Sequence, residues 1–208
     1  MKKSGLILCL IVFTVVIITP ACKNGTNPAD KSASASESME VMNAVVVRPT
    51  SADSKDTIKT SIKAIAKGSV RGATLVLNYN SPAVRERKIW GSLVPYDKIW
   101  VTGAHMATSL ECNKEFNIGN TKVPPGKYAL FTIPGVQNWV VIINKNWDQH
   151  LTDEYSSGDD IASIEVQPEQ LAKHQERLMY EFDQTGERSV SIRMKWEKIG
   201  ISVPMEIR

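Results

Sequence analysis

Two apolar runs, 127–133 (KYALFTI) and 139–144 (WVVIIN), flank a segment that opens with Pro134-Gly135. Runs of six or seven residues rich in β-branched and aromatic side chains, joined by turn residues, specify a β-hairpin. Just upstream, Pro125-Gly126 suits the central positions of a type II turn, proline fixing φ and glycine accepting a positive one. The second run is largely apolar and barely alternates, which marks a buried strand. This hairpin commits its neighbourhood to a sheet.

The remaining periodicity agrees. Ala73, Leu75, Leu77 and Tyr79 fall on one face of a period-two segment that ends at Ser81-Pro82. Thr108, Leu110 and Cys112 form a second such face, Phe116 and Ile118 a shorter one closed by Gly119-Asn120, and 161–166 another strand. Leu178, Tyr180 and Phe182 alternate, as do Val190, Ile192, Met194 and Trp196. Gly200 is expected to end that strand, and Ile201, Val203, Met205 and Ile207 to form a last one, marked as an edge by Pro204. Gly68 and Gly72 read as bend or bulge positions, 168–174 as a single helical turn, and the patch 41–47 as an extra edge strand. The expectation is an all-β chain: an antiparallel β-sandwich or distorted barrel with one long irregular loop and at most one short helical turn.

The N-terminus reads differently. Lys2 and Lys3 precede an almost unbroken apolar run, 6–18, that is too short to span a membrane but fits the core of a signal peptide. Thr19, Pro20, Ala21 and Cys22 follow, so a small residue precedes a cysteine where a lipoprotein would be cleaved and acylated. The expected organisation is a lipoprotein signal peptide over 1–21, an acylated Cys22 with a polar tether over 22–57, and a single β domain over 58–208. The alternative is ordinary cleavage near Ala21, leaving Cys22 a plain thiol. Cys9 lies in the signal, so Cys112 has no intramolecular partner and reads as a small buried hydrophobe. Anchoring would come from acyl chains, each buried methylene contributing about 0.8 kcal/mol. Without Lys2 and Lys3 the chain is close to neutral, and no basic run interleaves with aromatics, so nucleic acid is not an expected partner. Lys23-Asn24-Gly25 carries no acidic pair, which favours the periplasmic face of a diderm envelope over the cell surface.

The stretch 85–108 (RERKIWGSLVPYDKIWVTGAHMAT) neither alternates nor repeats at helical spacing. Long irregular segments inside a domain are functional or are packed Ω-type loops. Arg87, Trp90, Tyr96, Trp100, His105 and Thr108 are the candidate ligand-binding residues, with aromatic walls and a few fixed donors. The competing reading makes both tryptophans loop packing and has Arg87 satisfy loop carbonyls. His105 is the one candidate acid/base. His150 and His174 lie far off, and HExxH, paired-cysteine, GxSxG and Gly-rich phosphate motifs do not occur, so neither a metal nor a cofactor is implied. Asp153, Glu154, Asp159 and Asp160 lack the spacing of a calcium loop and read as solvated.

In order, GSLVPYDKIWVTGAHMAT, VPPGKYALFTIPG and WVVIINKNWDQ resemble the Domain of Unknown Function 2911 family of bacterial envelope proteins. The resemblance runs from about residue 58 to the end and rests on Trp90, Gly91, Leu93, Val94, Pro95, Tyr96, Trp100, Thr102, Gly103, Ala104 and Thr108. Val101, His105 and Met106 stand where the family usually carries Arg, Asn and Glu, and Gln149-His150-Leu151 where it carries Gln-Trp-Gly. The family has no assigned activity. The expected function is therefore a membrane-anchored envelope module that binds a small molecule or an envelope protein. The alternative is an envelope hydrolase with its site on the 85–108 loop.

Overall fold

The computed structural model describes residues Val46–Val47 and 60–208; the signal segment 1–21, Cys22 and the rest of the tether lie outside the described residues. The fold is all-β. The strands are β1 (Val46–Val47), β2 (Ile62–Val70), β3 (Ala73–Ser81), β4 (Ser109–Cys112), β5 (Phe116–Ile118), β6 (Thr121–Val123), β7 (Gly126–Ile133), β8 (Trp139–Asn144), β9 (Asp160–Val166), β10 (Glu169–Gln184) and β11 (Ser189–Ile207). They make two antiparallel sheets, β1-β2-β3-β4-β7-β8-β9 and β10-β11-β5-β6. Neither closes on itself, so the architecture is a sandwich and not a barrel.

The predicted strand faces form the layer between the sheets. Leu75 and Leu77 of β3, Leu110 of β4, and Val141 and Ile143 of β8 meet Tyr180 and Phe182 of β10 and Ile192, Met194 and Trp196 of β11 in one buried cluster. Cys112 sits in the same cluster with a free thiol; burial pushes its pKa up, which keeps it protonated and unreactive. The hairpin β7–β8 is buried on its other face too. Ala129, Phe131 and Ile142 pack there against Val101 and Ala107 of the irregular loop. That second small core explains why 139–144 is apolar throughout. The loop therefore has a structural role as a cover for the sheet.

Several local expectations give way. Residues 168–174 are not helical; from Glu169 on they belong to the long strand β10, whose first half is mostly solvent-exposed and so carries no alternation. Among the described residues the single helical turn is a 3-10 turn at Ser157–Asp159. Gly200 does not end a strand, because β11 runs without interruption from Ser189 to Ile207. The apolar face changes from even to odd positions across Glu197, where φ is 56° and the pairing with β10 shifts register. β11 lies inside its sheet, yet Pro204 falls between the last β10 partner, Gly200, and the first β5 pair, Met205, so no paired position is lost. Gly126 is an extended strand residue paired with Cys112, not the positive-φ position of a type II turn. Gly68 is not a bulge either: β2 and β3 pair without a shift, and a Cβ at Gly68 would stand 2.8 Å from Cβ of Phe182. Gly72 is a turn residue, with φ of 69° beside Arg71 at 49°, the hand a two-residue hairpin requires. Of the patch 41–47, Val46 and Val47 are described and pair with Ala66 and Ile65 at the sheet edge.

Candidate functional site

The loop between β3 and β4 is anchored along its length. Its first residues lie along β10: Val84 N–H donates to the Glu176 carbonyl at 2.8 Å, and Leu178 N–H to that of Pro82 at 3.0 Å. A tight turn follows, in which Val94 N–H reaches the Ile89 carbonyl and Gly91 N–H that of Val94, both at 2.9 Å. The chain then runs beside the far end of β7, where Trp100 and Thr132 exchange both backbone bonds at 2.8 and 3.0 Å. Finally, Leu151 N–H closes on the His105 carbonyl at 2.6 Å.

At its centre is Thr102, a β-branched residue at φ 53° and fully buried. Such a conformation costs energy and persists only where the surroundings impose it. Here they do. The Thr102 carbonyl accepts from the hydroxyls of Tyr180 at 2.7 Å and Thr108 at 2.9 Å, and its own hydroxyl is 3.0 Å from that of Thr132. Burial pushes the Tyr180 phenol well above its ordinary pKa, so it stays a donor throughout the accessible pH range. Arg85 and His105 also adopt positive φ, 52° and 61°.

Beneath the loop four tryptophans meet. Trp90 stands edge-on to Trp100, Trp139 and Trp196 at centroid distances of 5.9, 4.9 and 5.8 Å. Trp100 and Trp196 stack at 5.9 Å with an interplanar angle of 18°. The indole N–H of Trp100 donates to the Gly103 carbonyl at 3.1 Å. Those of Trp90 and Trp196 are buried without a hydrogen-bond acceptor among the described residues. They lie in a cluster whose edge-to-face packing presents ring faces, which are weak acceptors.

An open cleft of about 360 Å³ lies over the Trp100–Trp196 pair. Arg85, Arg87, Leu93, Gly103, His105 and Leu151 are among its other walls, with Thr60 and Ser61 at the start of the described domain. Of the six residues singled out in the sequence, Arg87, Trp100 and His105 come together here. Trp90 lies behind the wall in the aromatic cluster, Tyr96 packs beside Gly91, and Thr108 is wholly buried, its hydroxyl committed to Thr102. Arg87 donates through Nε to the Val84 carbonyl at 3.0 Å and through Nη2 to that of Ala83 at 2.6 Å. It thus satisfies loop carbonyls and faces the cleft as well. The His105 ring is exposed and makes no hydrogen bond to a described residue. Glu176 accepts the Arg85 backbone N–H at 2.9 Å, the main cause of its lowered pKa, with His174 adding to it. Trp196 is one of the wall residues that sequence reasoning missed, with Arg85, Leu93 and Leu151 among the others. It reads as one more core position of an alternating strand, and only the sheet topology carries it to a loop far upstream in the chain.

A second, smaller groove of about 270 Å³ lies elsewhere, bordered by Asn78, Asn80, Met106 and Trp147. Trp147 has Lys127 Nζ 3.4 Å above its ring, a cation–π contact that occupies one face.

No match to this chain is found among curated proteins or among solved structures. The family model described as Protein of unknown function (DUF2911) does match, over residues 61–205. That span takes in both sheets apart from β1 and the last residues of β11, the anchored loop and every wall of the cleft but Thr60, and the chain belongs to the DUF2911 family.

Proposed function

We propose that this protein is a lipid-anchored component of the bacterial envelope whose β domain binds a small molecule in the cleft over Trp100 and Trp196. The observation that carries the binding reading is the pinned loop. A fully buried threonine is held at positive φ by hydroxyls from three other residues, and the loop so fixed forms one side of a cleft walled by Trp100, with Trp196 stacked behind it. Strain maintained at such cost in a β scaffold is expected where geometry serves recognition. The hydrolase alternative asks for His105 bonded to a carboxylate or hydroxyl, and its ring has no such partner among the described residues. The anchor and the periplasmic location rest on the apolar run 6–18 and on Cys22.

Two measurements test this. Cys22→Ser is expected to abolish incorporation of labelled fatty acid and to move the protein out of the membrane-anchored fraction; unchanged labelling refutes the anchor. A thermal-shift screen of the purified protein is expected to yield ligands that raise its melting temperature, since a native-state binder at a hundredfold its Kd adds about 2.7 kcal/mol of stability. Trp196→Phe, by altering the cleft floor, should diminish those shifts.

A further inference from the structure

We propose that the cleft selects small organic anions that carry a flat apolar body, an inference that rests on the binding reading above. The charge of the walls is one-sided. Arg85 and Arg87 line the cleft, and no aspartate or glutamate among the described residues does so. A concave site with one sign of charge and low-dielectric sides focuses its field on the ligand.

The geometry of Arg87 adds direction. Nε and Nη2 are fixed to two carbonyls of the same loop, so the guanidinium plane is set before any ligand arrives. Nη1 makes no bond to a described residue. A planar donor held in this way suits a carboxylate or a similar oxyanion, and little side-chain freedom is lost on binding. The floor specifies the rest of the ligand. Half-buried Trp100, backed by the buried Trp196 that it stacks on, forms an apolar wall with Leu93, Val94 and Leu151. A flat aromatic or alicyclic body would lie against that wall while its acidic group meets Arg87.

The test uses 2-naphthoate and its neutral counterpart 2-naphthamide, titrated against the purified full chain and followed by tryptophan fluorescence. The acid is expected to bind saturably and at least tenfold more tightly than the amide, and its affinity to fall as salt is raised. Arg87→Gln should remove most of that preference by weakening the acid alone. Because Arg87 also anchors the loop, Arg85→Asn provides a second variant, asparagine being tolerant of the positive φ at that position. It too should weaken the acid and spare the amide. Equal affinity for acid and amide, or a preference unaltered in both variants, overturns anion selection and leaves the binding reading standing. No saturable response to either compound overturns both.

Discussion

Trp196→Ala is expected to lower the unfolding free energy by about 3–5 kcal/mol, the range for truncating a large buried aromatic. Trp196 is 1% exposed, stacks on Trp100 and meets Trp90 edge-on. Alanine would open a void between the sheets that neither β11, paired with β10 at Lys195 and Glu197 on either side of the bulge, nor the anchored loop is free to fill. Since domains are stable by roughly 5–15 kcal/mol, a large fraction of the total would be lost. The measurement is urea unfolding followed by circular dichroism. The midpoint should fall sharply with the slope unchanged, as for a loss of stability without a change in the unfolded state. Trp196→Phe should recover most of the loss. A fall below about 1 kcal/mol for the alanine variant, well short of the range for a buried aromatic, would mean that the aromatic cluster is not part of the core.

The second large effect is expected at Gly68, where the sheets approach closely. A Cβ there would stand 2.8 Å from Cβ and 2.9 Å from Cγ of Phe182, the root of a buried ring and not a flexible end. Gly68→Val should therefore cost about 1–3 kcal/mol through overpacking. Valine has the higher strand propensity, so simple preference would predict the opposite sign. Combining Gly68→Val with Phe182→Leu should restore part of the stability, which separates a steric clash from a backbone effect.

How much of this was readable in advance depends on what each residue answers to. The hairpin β7–β8 was legible because its apolar runs and the Pro134-Gly135 turn are local signals. The faces of β3, β10 and β11 were legible because one side of each meets the opposite sheet and alternation survives. Residues 168–174 misled because a strand lying largely in solvent has no reason to alternate. Gly200 and Pro204 misled because both are strand breakers by propensity. In the fold Gly200 ends only the pairing with β10, and Pro204 falls in the gap before β5 takes over. Gly68 and Gly126 carried a signal of the wrong kind: glycine at each marks a close approach by a side chain, Phe182 or Tyr128, that sequence does not disclose.

The candidate site divides in the same way. Arg87, Trp100 and His105 belong to one loop and could be grouped from sequence. Tyr96 and Thr108 belong to that loop as well, but they turn into its packing, and nothing local distinguishes the two outcomes. Val101, where the family usually has arginine, is buried against Ala129 and Phe131 in the smaller core. Of the positions at which this chain departs from the family pattern, Val101, His105 and Leu151 line the cleft, whereas Met106 borders the Trp147 groove.

The central claim is that the cleft over Trp100 and Trp196 is the ligand site. Its most direct test is the set of indole N–H resonances of the five tryptophans in a ¹H–¹⁵N correlation spectrum. Each would be assigned by single Trp→Phe substitutions and followed as 2-naphthoate is added. The Trp100 and Trp196 resonances are expected to move together and saturate, while that of Trp147, in the separate groove under Lys127, stays in place. Movement confined to Trp147, or none at all, would contradict the claim.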